Sequence, residues 1–217
     1  KYLGYSVFGA GIALGGFFFV APYLTTFDFT VGGALDSLRA SQHSQLLLIA
    51  YFLMVLGLGC KAGMLPMQAW LTTAHPVAPA PASALLSGVI TKAGVLGIIR
   101  VTFYLYGDSF IRGTWVQETF LILTLLTVFT GSMLAYKEKL LKKRLAYSTV
   151  SQISYALFGL FLLTGKSVEG ALLQVVFHAL AKDTLFLAVG AMLYMTGAAR
   201  VDQIPGMGRK MPVTMWC

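Results

Sequence analysis

Six stretches of the chain are apolar and long enough to cross a bilayer: roughly 3–24, 45–72, 80–106, 115–136, 146–164 and 168–197. A spanning helix needs about 20 mostly apolar residues. Lipid offers no water to a free N–H or C=O, so only internally bonded helices or closed barrels cross it. These runs are too continuously apolar for the alternating strands of a barrel. The expectation is an all-α, polytopic transmembrane helix bundle of about six spanning helices. Composition agrees, with 57% hydrophobic and 11% charged residues, where soluble domains carry about 25% charged.

Basic residues exceed acidic ones by eight. In a membrane chain this excess speaks to topology, and no aromatic-interleaved basic patch points to nucleic acid. Lys137 to Arg144 (KEKLLKKR) carries five bases and one acid between the fourth and fifth stretches. The positive-inside rule makes it cytoplasmic. Alternation then puts Lys1, the 73–79 loop and the tail with Arg200, Arg209 and Lys210 inside. The 25–44, 107–114 and 165–167 loops fall outside. The expected setting is a prokaryotic cytoplasmic membrane. Cys60 and Cys217 have no CxxC or ligand spacing, so neither disulfide nor metal is expected. The chain starts at Lys1 without a signal pattern, and MPVTMW before Cys217 resembles a helix start. Both ends read as cuts in a longer protein.

The second stretch is interrupted. Gly57, Gly59, Gly63 and Pro66 cluster around Lys61. Pro66 has no N–H for the carbonyl of Ala62. A broken helix at membrane depth frees carbonyls that can face an ion. Gly11-xxx-Gly15 and Gly59-xxx-Gly63 are weak signals of close helix packing.

Three lysines lie within these apolar stretches: Lys61, Lys92 and Lys182. A lysine at the bilayer centre costs about 2.5–3.5 kcal/mol, and such residues mark ion or proton paths. Lysine suits proton work because lost water favours the neutral amine and a nearby carboxylate favours the ammonium. His178 precedes Lys182 by four residues, on one helix face. Ser83, Ser87 and Thr91 accompany Lys92, and Ser148, Ser151, Gln152, Ser154 and Tyr155 line the fifth stretch. These groups can order water between titratable side chains, or simply bond one helix to another. Asp183 lies about 100° round the helix from Lys182 and so faces another partner. With Glu118, it is one of two acids within reach of the hydrocarbon, too few for three lysines. Either the lysines rest neutral or their carboxylates come from elsewhere.

Lys61-Ala-Gly-Met-Leu-Pro-Met-Gln-Ala-Trp-Leu-Thr-Thr-Ala-His75, followed by Ala78-Pro79-Ala80-Pro81-Ala82-Ser83-Ala84-Leu85-Leu86, resembles a long motif. It is that of the antiporter-like subunits of respiratory complex I, Mrp-type sodium/proton antiporters and energy-converting membrane hydrogenases. Lys143-Arg144-Leu145-Ala146-Tyr147-Ser148, His178-Ala-Leu-Ala-Lys182, and Gly206-Met207-Gly208 with Met211-Pro212 are similar to later motifs of that family. The resemblance implies two inverted five-helix repeats within about fourteen helices, each repeat with a broken helix. This chain would hold helices six to eleven and the start of twelve, with 1–106 ending the first repeat and 107–217 opening the second. It further implies proton, or sodium/proton, translocation through Lys61, Lys92, His178 and Lys182. Pro66, His75, Thr91, Ser148, Ser151, Gln152 and Asp183 would support that line. Implied partners are other membrane subunits, including homologous antiporter-like ones, a hydrophilic redox arm and the lipid bilayer. No nucleic acid or cofactor is expected. Two positions depart from the family: Gln174 stands where a second histidine is common, and Leu140 near an expected acid. Two other functions stay open: a structural membrane-arm subunit without ion transport, and a stand-alone secondary anion transporter. No nucleophile–base pair, phosphate loop or Fe–S cysteine set appears, so any redox chemistry belongs to partners.

Overall fold

A computed structural model describes residues 2–216, so the expectations for Lys1 and Cys217 lie outside the described residues. Among those residues there is no strand, only two isolated bridges between loops. The helices are α1 (Tyr2–Val20), α2 (Ser37–Gln42), α3 (Ser44–Ala62), α4 (Ala69–Val77), α5 (Ala80–Leu85), α6 (Thr91–Ile99), α7 (Asp108–Ile111), α8 (Trp115–Lys137), α9 (Leu141–Phe161), α10 (Gly165–Thr196), α11 (Met207–Lys210) and α12 (Pro212–Trp216). A π turn, Leu86–Ile90, joins α5 to α6, and a second π segment, Arg100–Tyr106, extends α6. Together they form one rod, Ala80–Tyr106.

Five rods are long and apolar enough to span: Tyr2–Tyr23, Ser44–Ala62, Ala80–Tyr106, Trp115–Lys137 and Gly165–Thr196. α9, with 21 residues, is the sixth, set apart by the bases in its first turn. The basic segment is therefore not all loop. Only residues 138–140 separate α8 from α9, and Lys142, Lys143 and Arg144 are already helical. Leu140 stays extended, and the residues after it close i→i−4 bonds from Arg144 onward.

The loops sort into two ends. Leu140 bridges Arg200, the Val201 N–H donates to the Lys139 carbonyl, and Lys142 Nζ donates to the Ala78 carbonyl at 2.7 Å. At the other end the Ala34 N–H donates to the Leu105 carbonyl, and Arg112 donates to the Leu163 carbonyl. This grouping is the one that alternating spans require.

α1 lies along α3, and their contact depends on missing side chains. A Cβ on Gly57 would overlap the Gly9 carbonyl and sit 2.7 Å from the Ala13 N, and one on Gly16 would sit 2.7 Å from the Ala50 carbonyl. Gly11 and Gly15 have open space instead, so that pair does not make the contact. Gly59 meets only Met64, and Gly63 caps α3, so the second glycine pair is no helix interface either. The spacing i, i+4 names a face but not which face is covered. At the outer end Tyr51 and Tyr106 meet edge-on with centroids 5.1 Å apart. Their hydroxyls bond Thr102 and the Leu47 carbonyl, each at 2.9 Å. Phe120 and Phe161 stack between α8 and α9 at 5.0 Å. Much apolar surface stays outward, including Phe8, Phe18, Ile122, Phe129, Leu173 and Phe177. Lipid is the solvent that tolerates such surface.

Candidate functional site

α3 ends as expected beside Lys61, but Pro66 is not the cause. The helix stops at Ala62 because Gly63 turns left-handed at φ +87°, a conformation that glycine adopts without a Cβ penalty. Pro66 lies beyond, exposed, in the link to α4. Two carbonyls at the break, those of Gly59 and Cys60, are also not free for an ion. The Cys60 carbonyl accepts the Trp70 indole N–H at 2.7 Å, and the Gly59 carbonyl accepts the Gly63 and Met64 N–H groups, each at 2.9 Å. Trp70 is 1% exposed and stitches α4 back onto the end of α3.

Lys61 is half-buried on the wall of a cavity of about 290 Å³ between α1, α3 and α6, beside Ser6, Ala93 and Gly94. Across α6 from that cavity sits a cluster of buried polar side chains. Lys92, His178 and Lys182 are 7%, 6% and 4% exposed. Lys92 Nζ lies 2.9 Å from His178 Nδ1. The proton of that bond can rest on either nitrogen, since an amine and an imidazole each donate or accept. Lys92 Nζ also donates to the Ser87 carbonyl, which accepts the Thr91 hydroxyl at 2.9 Å as well. π turns frequently mark functional sites, and here one supplies the carbonyl that holds the lysine.

Lys182 Nζ donates to Ser148 Oγ at 2.8 Å. The next residue of α9, Thr149, shares a 2.8 Å hydroxyl–hydroxyl bond with Ser87. Neighbouring residues of α9 thus reach both lysine sites. Ser148 also lies on the wall of a cavity of about 550 Å³ that takes in Tyr136, Arg144, Ser151 and Gln152. Ser151 bonds Ser132 at 2.8 Å and Gln152 bonds Gln174 at 2.7 Å. Those two line the cavity and do not touch the lysines. Gln174, the departure from the expected histidine, is thereby used to join α10 to α9.

His75 is fully buried and stacks on Phe186, rings 4.6 Å apart, with neither ring nitrogen bonded. Asp183 turns away from Lys182, as its helix angle requires, and faces Gly88. Among the described residues the four ion pairs all lie in loops or helix ends, and none involves Lys61, Lys92 or Lys182. Sequence pattern missed the Ser87 carbonyl, Gly88, Thr149 and Phe186. The cluster of hydroxyls around residue 87 was the available signal, but a π turn has none of its own.

The full chain, residues 1–217, matches the family model described as NADH:quinone oxidoreductase/Mrp antiporter, TM. A chain 4-3 of NAD(P)H-quinone oxidoreductase from Nostoc sp. (strain PCC 7120) is 34% identical over 87% of this chain and 32% of its own length. Formate hydrogenlyase subunit 3 of Escherichia coli (strain K12) is 36% identical over 75% of this chain and 28% of its own. The Mrp complex of Dietzia sp. DQ12-45-1b contains a chain with TM-score 0.77 and 25% identity, covering 88% of this chain and 34% of that one. A chain of the archaeal membrane-bound sulfane sulfur reductase shares the fold at TM-score 0.83, covering 100% of this chain and 43% of that one. The chain spans about a third of the length of these curated relatives. Motif, fold and family model converge: the chain belongs to the NADH:quinone oxidoreductase/Mrp antiporter transmembrane family.

Proposed function

We propose that the protein carries protons, or protons in exchange for sodium, along a mid-membrane line through Lys61, Lys92, His178 and Lys182. The carrying observation is the buried hydrogen bond between Lys92 and His178, with Lys182 on the adjoining α9 hydroxyls. Buried basic groups joined by hydrogen bonds, with no ion pair at Lys61, Lys92 or Lys182 among the described residues, suit proton hand-over better than static pairing. Lys61 joins the line across the α3–α6 contact, where Gly94 meets the backbone of Leu58 and Ala62. The cavity running from Arg144 to Ser148 supplies the aqueous entry on the cytoplasmic side. In this reading residues 1–106 close a first repeat and 107–217 open a second. The relatives are named as subunits of a quinone oxidoreductase and a formate hydrogenlyase, and a structural neighbour comes from an Mrp complex. We infer the same kind of setting here: a multi-subunit membrane assembly with homologous antiporter-like subunits, driven from outside this chain.

The test is Lys182→Ala and Lys61→Ala in the full-length protein within its assembled complex, with ion translocation measured in sealed vesicles. Loss of pumping with assembly retained is the expected result. Wild-type pumping in both variants would remove the proposal. Lost assembly with unchanged pumping per complex would leave a structural role only.

A further inference from the structure

Lys182 and Asp183 are adjacent in sequence, but α10 delivers them to different neighbours. Lys182 goes to Ser148 of α9. Asp183 goes to the π turn, where a Cβ on Gly88 would overlap its carboxyl group. The preceding residue, Ser87, offers its carbonyl to Lys92 Nζ. Ammonium and carboxylate therefore flank one peptide, Ser87–Gly88. Among the described residues neither has an ion-pair partner. Asp183 Oδ1 is buried and accepts no hydrogen bond. Among the described residues Lys92 bonds a carbonyl and an imidazole, and no ion pair joins it to Asp183. A buried carboxylate oxygen without a donor is costly, and so is a buried ammonium without an acid. A proton moved from one to the other neutralises both.

We propose that Asp183 is the proton-accepting counter-charge of Lys92. The Lys92 ammonium gives its proton to the Asp183 carboxylate, directly or through one water, leaving a neutral amine and a carboxylic acid. Once His178 is protonated to the imidazolium, its Nδ1 returns a proton to the amine, leaving a neutral ring and restoring the ammonium. Gly88 is the opening that lets the carboxyl approach, and the π turn presents the Ser87 carbonyl that aims the ammonium at it. The other ionisable groups at this point are His178, bonded to Lys92, and Lys182, the residue before Asp183. Neither is an acid. The inference rests on the translocation reading above.

The experiment uses the full-length protein in its assembled complex in sealed vesicles. Asp183→Asn keeps the shape and removes the acid, so translocation should fall at least about tenfold with assembly intact. Asp183→Glu should restore part of it. Gly88→Ala, which displaces the carboxyl, should lower it in the same direction. Infrared difference spectra between energised and resting states should show a carboxyl change that Asp183→Asn removes and Asp183→Glu shifts. Wild-type translocation in Asp183→Asn while Lys182→Ala is inactive overturns the inference and leaves the function standing. Wild-type translocation in both overturns the function as well. Should Asp183→Asn not assemble, the spectra decide: no carboxyl change that Asp183→Glu shifts overturns the inference.

Discussion

Glu138 accepts Lys143 Nζ at 2.7 Å, and the Lys139 and Leu140 N–H groups donate to its other oxygen at 3.1 and 3.2 Å. Bases in the first turn of a helix oppose its dipole, so this carboxylate offsets part of what Lys142, Lys143 and Arg144 cost α9. The Lys143 hydrogen bond above all, then the backbone bonds, hold the Glu138 carboxyl below the usual carboxylate range. A lowered value means the contact stabilises fully above the ordinary Glu value and is lost as pH falls through the lowered one. Thermal stability of the solubilised full-length protein should drop below about pH 4.3, and less so in Lys143→Met. Equal pH slopes for the two would remove the pair from the account. The lysines and His178 were legible as candidates because each interrupts an apolar run. Their partners were not, since a carbonyl in a π turn or a glycine opposite a carboxyl appears only when two helices meet.

At the level of elements, the α1–α3 contact separates pattern from packing. Gly57→Ala forces a methyl against the Gly9 carbonyl and Ala13. Overpacking of this kind costs about 1–3 kcal/mol. Gly11→Ala points into open space and should stay within about 0.5 kcal/mol. Unfolding midpoints of the two full-length variants give the comparison, and equal shifts would refute Gly57 as the packed face of α3. The broken helix was readable from its glycines and proline, but its cause was not. A left-handed Gly63 ends α3, and Trp70 then takes the Cys60 carbonyl that the break would otherwise leave open. The first is a local glycine cap; the second depends on α4 folding back, which no local propensity encodes.

Across the whole molecule, the two sets of loops fix which spans run parallel, and the basic end gives the direction. A single cysteine at Lys139 should resist a membrane-impermeant thiol reagent applied to the outside of intact cells, and one at Ser109 should react. The reverse pattern would invert the topology. The chain matches about a third of its curated relatives' length, and among its described residues no ion pair reaches Lys61, Lys92 or Lys182. The fold does bring one carboxyl, that of Asp183, against Gly88, next to the peptide that holds Lys92.

The sequence alone determined the class, since continuous apolar runs admit only helices in lipid, and it determined which ionisable residues enter the membrane. Helical spacing also separated Asp183 from Lys182. Only the tertiary structure decided which of them meet. It joined Lys92 to His178, set Lys182 on α9, left Lys61 behind α6 and brought Asp183 to the Ser87–Gly88 peptide. The reason is geometric: periodicity assigns a side chain to a face, but the neighbour of that face comes from a helix many residues away.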